Sequence, residues 1–336
     1  MDETDKDDDS SQTPPGRREQ VAFTWLPHLG AHGTKLEGPT MNSLGLHWVY
    51  RDVCAPLWAY SRSDFFEPDS TVPIARSQWR ETRALAGSIA ESLMLGVANY
   101  VEIMWHEQAI QSGVEPAGMA LAQRHLADLL CETTIAVGHR LVNLVARTMR
   151  TDPTTRKQMD GAKPLKALGT AYEPFVTTTR KAWLSLNAAE LTALRSVASS
   201  QPNLLAALDR LDALEASPQW RGASDHRAEN FHRWRREHEY VAGVDQNSGT
   251  ATDVHDYLGQ VIGKDYGIVD RRYTAADNLG AQTVLNAGAG LEETARAASN
   301  ILDEIIAALP DLTNGLHVQI THTQSGLKTT FQRKHT

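Results

Sequence analysis

The chain has 336 residues, 41% of them hydrophobic, which allows one large domain or two small ones around an ordinary core. Its formal net charge is −8, but six acids and one Lys lie within Met1–Asp9, so the remainder carries only −3. This near balance excludes a basic polyanion-binding surface over the whole chain and leaves room only for a local basic patch.

Cys54 and Cys131 are the only cysteines, and they form neither a CxxC pair nor a Cys/His metal spacing. A disulfide framework and a zinc knuckle are therefore not expected. The acidic start of the chain is unlike a signal peptide, and no uninterrupted apolar run approaches membrane-spanning length. These features predict a cytoplasmic protein with no membrane partner, no cofactor and no metal ion.

The first 75 residues divide into two predicted regions. Residues 1–20 lack the apolar side chains that could offset the entropy of ordering, and they predict a disordered acidic tail. Residues 21–75 mix aromatic residues with Gly and Pro, which predicts irregular segments packed on a larger body. One short helix within this region is expected to end before Pro56.

Two long helices are predicted next, because apolar residues recur at spacings of three and four. The first runs from Gln78 to Gly113 and the second from Pro116 to Arg150. So short a turn between them predicts an antiparallel hairpin. Polar side chains interrupt both helices and would either line a pocket or form interhelical hydrogen bonds: Glu91, Asn99, His139, Arg140 and Asn143.

Several shorter elements follow a connector rich in Pro and Gly. One helix is predicted to begin at Asn187, with Glu190 completing a variant of the capping box, and the next spans "PNLLAALDRLDALEA". Gly222 is expected to break the chain, so that Ser224 or Asp225 caps a new helix.

The C-terminal third predicts a short helix near Val254–Ile262 and a long helix over Ala275–Leu309 that stops at Pro310. The ending alternates like two strands about Ser325-Gly326. The predicted organisation is therefore one helical domain over residues 76–312 and a C-terminal β-hairpin over residues 313–336.

A cluster of His and Arg residues stands out in "SDHRAENFHRWRREHEY", residues 224–240. His226, His232 and His238 recur every six residues, so successive rings lie about 240° apart around an ideal helix. A metal site on this one helix is thereby excluded, and no HExxH motif is present.

An Arg and a His can instead act on a phosphodiester, since imidazole moves protons near neutral pH and guanidinium stabilises charge on phosphorus-bound oxygens. The spacing Arg, four residues, His occurs three times in tandem: Arg221 with His226, Arg227 with His232, and Arg233 with His238. The form "RAENFHRWR" resembles the signature of the HEPN superfamily, helical proteins many of which are metal-independent RNases.

This resemblance implies a mainly α fold, an antiparallel helical bundle of HEPN type, and an RNA endonuclease that is a toxin or a phage-defence effector. It makes Arg227 and His232 the catalytic candidates. The neighbouring polar residues would contact the RNA substrate: Asn230, Arg233, Arg235, Arg236 and His238.

The helical geometry favours a two-fold assembly. With the helix starting near Ser224, Arg227 would lie in its first turn, where free N–H groups favour a phosphate. His232 lies about 140° from Arg227 around an ideal helix. The pair would converge only through a distorted first turn or across a homodimer, and we expect a homodimer.

Two alternatives remain open at this point. Many active HEPN members carry Asn, Asp or His where this chain has Ala228, which favours a non-catalytic module that binds a nucleotide, RNA or a protein partner. Alternatively, the cluster is a solvated helix face with Phe231 and Trp234 directed to the core. The C-terminal basic residues would either touch an RNA backbone or be solvated strand ends: Lys328, Arg333, Lys334 and His335.

Overall fold

The computed structural model describes residues 39–63, 73–112, 116–166, 168, 183–198, 201–232, 251–266, 279–312, 316–323 and 326–333. The predicted acidic tail, residues 1–20, lies outside these ranges, as does much of the His and Arg cluster. Within the described ranges the protein is mainly helical, in agreement with the predicted fold class. The finer prediction, a bundle of HEPN type, stays a prediction.

Eight α-helices and four β-strands make up the described part of the chain. The helices are α1 Ala55–Ser61, α2 Pro73–Gln111, α3 Pro116–Met149, α4 Pro153–Gly161, α5 Ala188–Val197, α6 Pro202–Ala216, α7 Pro218–His232 and α8 Leu279–Leu312. The strands are β1 Ala251–His255, β2 Val261–Tyr266, β3 Leu316–Thr323 and β4 Gly326–Arg333. A π-helical turn, Val49–Cys54, leads directly into α1.

Helices α2 and α3 form the predicted antiparallel hairpin. Nη1 of Arg140 donates to Oγ of Ser92 at 2.9 Å, and Nη1 of Arg147 lies 3.0 Å from Oε2 of Glu81. Residues that lie later in α3 thus contact residues that lie earlier in α2. The apolar stripes of both helices are buried in the main core, as their periodicity predicted.

The third long helix, α8, packs against α2, α3, α6 and α7. Small residues permit this close packing, since a Cβ added at Gly96 would lie 2.8 Å from Cδ1 of Leu291. Pro310 was expected to end this helix, but α8 continues through it to Leu312. Pro310 lies in the last turn, where its fixed φ is compatible with a helix and only one backbone hydrogen bond is lost.

The short N-terminal helix does not end before Pro56, contrary to the prediction. Pro56 lies in the first turn of α1, and the wider π-helical turn comes immediately before it. A proline ring would clash with the carbonyl four residues earlier in a regular α-helix. Here the carbonyl of Asp52 instead accepts a hydrogen bond from Oγ of Ser299 on α8, at 3.4 Å.

The connector after α3 contains a helix, α4, that the sequence patterns did not predict. Asp152 caps it by accepting from the N–H of Thr155 at 2.7 Å. The predicted cap of α5 is confirmed: Oδ1 of Asn187 accepts from the N–H of Glu190 at 3.0 Å. The Glu190 carboxylate in turn accepts from the N–H of Ser185 at 2.6 Å.

Helix α7 starts at Pro218, six residues before the predicted cap at Ser224. Gly222 does not break it, because the flanking side chains of Trp220 and Ala223 are buried in the core. Their burial offsets the roughly 1 kcal/mol that a Gly costs inside a helix. Arg227 is therefore the tenth residue of α7 and not part of its first turn.

The predicted short helix near Val254–Ile262 is wrong, because β1 and β2 pair there as an antiparallel hairpin. The turn explains the difference. Oδ1 of Asp256 accepts from the N–H groups of Leu258 and Gln260, at 2.9 and 2.8 Å, and Gly259 has φ of 80°. The apolar side chains of this hairpin are largely exposed, with Tyr257 at 94%.

The C-terminal hairpin pairs β3 with β4 from Leu316↔Arg333 to Thr323↔Gly326. The strands adjoin between Thr323 and Gly326, where the turn about Ser325-Gly326 was predicted. β3 packs against α8, and Val318 is buried in the main core. This hairpin therefore packs on the helical body.

Two helical stretches, Gln78–Gln111 and Ala122–Met149, are long and apolar enough to cross a membrane, judged by length and composition. Within the protein, 50% and 67% of their most apolar windows are buried. The core helix of a soluble protein meets the same criterion, so this is weak support for a membrane span. The absence of a membrane partner stays a prediction.

Candidate functional site

A cleft of about 470 Å³ opens over α3 between α2 and α7, and we call it the arginine cleft. Its volume is within the range of pockets that bind small ligands or parts of larger ones. Six of its lining residues are polar or charged: Ser92, Glu132, Thr133, His139, Arg140 and Arg227. The rest of the lining is apolar: Leu95, Leu129, Ile135 and Ala136.

Arg227 reaches this cleft from α7, and its side chain is exposed. The preceding residue, His226, anchors the same turn of α7 to α3. Nε2–H of His226 donates to Oδ1 of Asp128 at 2.8 Å, and the two side chains are only 13% and 5% exposed. Because neighbouring residues of a helix have fixed relative directions, this buried contact helps to set where Arg227 points.

Arg140 brings a second guanidinium to the cleft from α3. Its Nη1 donates to Oγ of Ser92 on α2, which fixes the position of the head group. Burial lowers the pKa of Arg140, and the nearby Glu91 carboxylate acts in the opposite direction. An arginine keeps its charge under such conditions, so the cleft holds two cationic groups at neutral pH.

His139 is the third polar group of interest, and its surroundings favour the neutral imidazole. Burial and, secondarily, the charge of Arg227 lower the pKa of His139. Its Nδ1 accepts a hydrogen bond from the N–H of Leu186 at 2.9 Å. The Trp220 ring meets the imidazole edge-on, with ring centres 6.2 Å apart. His139 is therefore held rigidly against the wall of the cleft.

The polar residues that interrupt the two long helices were predicted either to line a pocket or to form interhelical hydrogen bonds, and the structure shows both roles. His139 and Arg140 line the arginine cleft, as the pocket alternative predicted. Arg140 also makes an interhelical hydrogen bond, to Ser92 on α2, as the other alternative predicted. Asn143 is buried and bonded to Leu184 in the segment before α5, donating to the carbonyl at 2.8 Å and accepting from the N–H at 3.1 Å, so this contact is not interhelical. Glu91 and Asn99 are not among the residues that line the cleft.

The structure describes residues of the first two Arg/His pairs of the cluster. In the first pair, His226 is bonded to Asp128, and Nε of Arg221 donates to the carbonyl of Glu215 at 3.2 Å, so neither residue lines the cleft. In the second pair, Arg227 lines the cleft. His232 is the last residue of α7, and its side chain lies outside the described part of the chain.

The predicted substrate-binding residues begin within α7 and continue beyond its end. The side chain of Asn230 and all of Arg233, Arg235, Arg236 and His238 lie outside the described residues. At the C-terminus, Lys328 is exposed on β4, and Arg333 ends that strand. Lys328 is not among the residues that line the arginine cleft, and the side chain of Arg333 and all of Lys334 and His335 lie outside the described residues.

The start of α7 at Pro218 removes one of the two routes by which Arg227 and His232 were expected to converge. Arg227 lies in the interior of a continuous helix, so a distorted first turn around it is excluded. Its environment is also not a helix N-terminus with free N–H groups. The other route, a two-fold assembly, stays a prediction.

Sequence reasoning missed the acidic and hydroxyl residues of the cleft. Glu132 and Thr133 lie on the same face of α3 as Arg140, at helical spacings from it, and this periodicity was a usable signal. The Asp128–His226 contact joins residues 98 positions apart, for which a single sequence gives no signal. Across the described ranges, no group of three or more His, Cys, Asp or Glu side chains could hold a metal ion.

The cleft combines two guanidinium groups with an imidazole and the hydroxyl groups of Ser92 and Thr133, and such donors recognise phosphate oxygens. Glu132 limits the positive charge, which fits one phosphate better than a run of them. No family model, curated protein or solved structure matches this chain. The resemblance to HEPN proteins, which covers "RAENFHRWR" and the long helices around it, therefore stays a prediction.

Proposed function

We propose that the arginine cleft binds a phosphate of RNA and that the protein cleaves RNA without a metal ion. One observation carries this proposal: Arg227, singled out by its spacing to His232, lines the same cleft as Arg140 and His139. Arg227 lies on α7, far in sequence from the two adjacent α3 residues. Two cations and an imidazole around one concave surface are the groups that a phosphodiester substrate requires.

In the proposed reaction, the ribose 2′-OH attacks the adjacent phosphorus and loses its proton to a base. The bond from phosphorus to the 5′-oxygen breaks, the leaving oxygen takes a proton, and a 2′,3′-cyclic phosphate remains. Arg227 would stabilise the charge on the phosphorane oxygens, and His232 would serve as the base or the acid. His139 is not a good base, because its Nδ1 is already bonded to Leu186.

The direct test is incubation of the protein with mixed RNA in EDTA. We expect cleavage products with cyclic phosphate ends, and we expect Arg227→Ala and His232→Ala to abolish cleavage while the circular dichroism spectrum is unchanged. Arg221→Ala is the matched control, because Arg221 lies on α7 outside the cleft. Strict dependence on an added metal ion would falsify the mechanism.

The same assay decides which Arg/His pair is used. If Arg233 and His238 were the functional pair, their alanine variants would be inactive while Arg227→Ala stayed active. We expect the reverse, because Arg227 lines the cleft.

Assembly is tested by complementation. A site shared across a two-fold axis predicts that inactive Arg227→Ala and His232→Ala chains recover part of the activity when refolded together. A strictly monomeric protein that still cleaves RNA would exclude a shared site.

A second candidate function is RNA or nucleotide binding without cleavage. His139 favours it, because its Nδ1 already accepts from Leu186 and is not available as a base, as does Ala228 in place of a polar residue after Arg227. The two functions are separated by measuring binding and cleavage on one RNA. Binding that Arg227→Ala weakens, with the RNA left intact, would support the second function and overturn the first.

A further inference from the structure

We infer that the hydrogen bond from the N–H of Leu186 holds His139 in its Nε2–H tautomer, and that this Nε2–H donates a hydrogen bond to a phosphate oxygen in the arginine cleft. The donor role, though not the tautomer, rests on the proposed function. His139 would then bind and orient the phosphate, and it would move no proton during the reaction.

The Leu186 hydrogen bond is part of a paired contact between α3 and the segment that precedes α5. Asn143 bonds both the N–H and the C=O of Leu184, and His139 accepts from the N–H of Leu186. His139 and Asn143 lie about one turn apart on the same face of α3, so both side chains are directed towards this segment. The three hydrogen bonds therefore hold the two side chains at once.

The tautomer follows from the donor in this contact. A backbone N–H can only donate, so Nδ1 of His139 must carry a lone pair and no proton. In a neutral imidazole the proton then sits on Nε2, the opposite side of the ring. Since His139 lines the cleft while its Nδ1 is bonded to Leu186, Nε2–H is the polar group that it can offer to a ligand there.

The charged groups around His139 support the neutral form. Arg227 on α7 and Arg140 on α3 are cations at the same cleft, and they oppose a third positive charge. Glu132 on α3 is the carboxylate in the cleft lining, and Glu91 on α2 acts on Arg140. Within the described residues, neither carboxylate forms a hydrogen bond with the imidazole, whose Nδ1 is bonded to Leu186. Protonation of Nδ1 would also break the bond from Leu186. The Nε2–H group of His139 is therefore available as a hydrogen-bond donor at neutral pH.

The tautomer can be measured without any ligand. Long-range ¹H–¹⁵N spectra of the full chain, labelled at histidine, distinguish a protonated from an unprotonated ring nitrogen. We expect Nδ1 of His139 to be unprotonated and Nε2 protonated at pH 8, where a histidine with a lowered pKa is neutral. The signals are assigned by their loss in His139→Asn. A protonated Nδ1 would overturn the inference even if the protein binds RNA.

The donor role is tested with two variants that each keep half of the ring's hydrogen bonding. Asn places its side-chain oxygen near the position of Nδ1, and Gln places its amide near that of Nε2. His139→Asn should keep the Leu186 bond but bind a 2′-O-methyl RNA hexamer, which cannot be cleaved, about tenfold more weakly. His139→Gln should retain more of the affinity, with lower stability in urea.

The outcomes separate this inference from the proposed function. If the wild-type chain binds the hexamer and His139→Asn binds it equally well, the donor role is wrong and the proposed function stands. If the wild-type chain does not bind the hexamer, the proposed function and the donor role both fail. Arg221→Ala is the control for non-specific loss, and it should bind as the wild type does.

Discussion

Nε2 of His226 lies 2.8 Å from Oδ1 of Asp128, and this contact joins α3 to the turn of α7 that carries Arg227. Both side chains are largely buried. A carboxylate in such a position is stabilised mainly by the groups that donate to it, so removing a donor or the carboxylate is costly. The contact therefore links the stability of the helical body to the position of Arg227 in the arginine cleft.

We expect Asp128→Ala to lower the free energy of unfolding by about 1–3 kcal/mol, because it leaves the His226 donor without this acceptor. Urea denaturation measures the change. The double variant with His226→Ala should be less destabilised than the sum of the two single variants, since the partners are in direct contact. Strict additivity would contradict the assigned contact.

The approach of α7 to α3 depends on a glycine. A Cβ added at Gly138 would lie 2.2 Å from the Trp220 ring, and Trp220 also packs against His139. We expect Gly138→Ala to destabilise the protein by about 1–3 kcal/mol despite the better helix propensity of Ala. Denaturation in urea and a change in tryptophan fluorescence would report it.

Gly222→Ala is the matched control for that variant. Gly222 lies inside α7 with nothing within 4 Å of an added Cβ. Ala at this position should therefore raise stability, by up to about 1 kcal/mol. Equal effects of the two substitutions would mean that helix propensity and not the Trp220 contact decides the result.

Much of the helical fold could be predicted because its signals are local. The apolar periodicity of α2 and α3 and the cap at Asn187 each depend on residues within a few positions. The start of α7 could not be predicted in this way. Gly222 is unfavourable in a helix by local rules, and the helix continues because Trp220 and Ala223 pack against other helices.

The candidate site could be predicted only in part, for a similar reason. The motif spacing selected Arg227, and the polar interruptions of α3 selected His139 and Arg140. That these residues share one cleft depends on tertiary packing between helices far apart in sequence. The roles of Leu186 and Asp128 as partners of the site residues depend on the same packing.

The stability of the exposed β1–β2 hairpin should depend on the backbone conformation of its turn. Gly259 has φ of 80°, a left-handed conformation that costs other residues about 1 kcal/mol or more. A two-stranded hairpin is only marginally stable on its own. Gly259→Ala should therefore speed amide hydrogen exchange in β1 and β2 while exchange in the helices is unchanged.

Gly263→Ala is the control for the hairpin, because this glycine of β2 has neither a positive φ nor any atom near an added Cβ. It should leave exchange in the hairpin unchanged or slow it slightly. Faster exchange in both variants would show that the hairpin does not tolerate any added side chain, and the turn conformation would not be the cause.

The last prediction concerns pH, and it follows from the lowered pKa of His139, caused first by burial and then by Arg227. A histidine whose pKa is lower in the folded chain binds its proton more tightly in the unfolded chain. Its contribution to stability is therefore unchanged well above the unfolded pKa of about 6.5 and becomes unfavourable as the pH falls through that value. Acidification should weaken the folded state through His139.

Other groups titrate in the same range, so the comparison is between variants. The loss of unfolding free energy between pH 7.5 and pH 5.5 should be smaller for His139→Asn than for the wild type, because Asn accepts from Leu186 without titrating. Arg227→Ala removes the positive charge that also lowers the pKa of His139, so this variant should raise that pKa. NMR titration measures the change, and Arg221→Ala should leave the pKa of His139 unchanged. An equal pH dependence in the wild type and His139→Asn would contradict the buried, neutral imidazole at the wall of the arginine cleft.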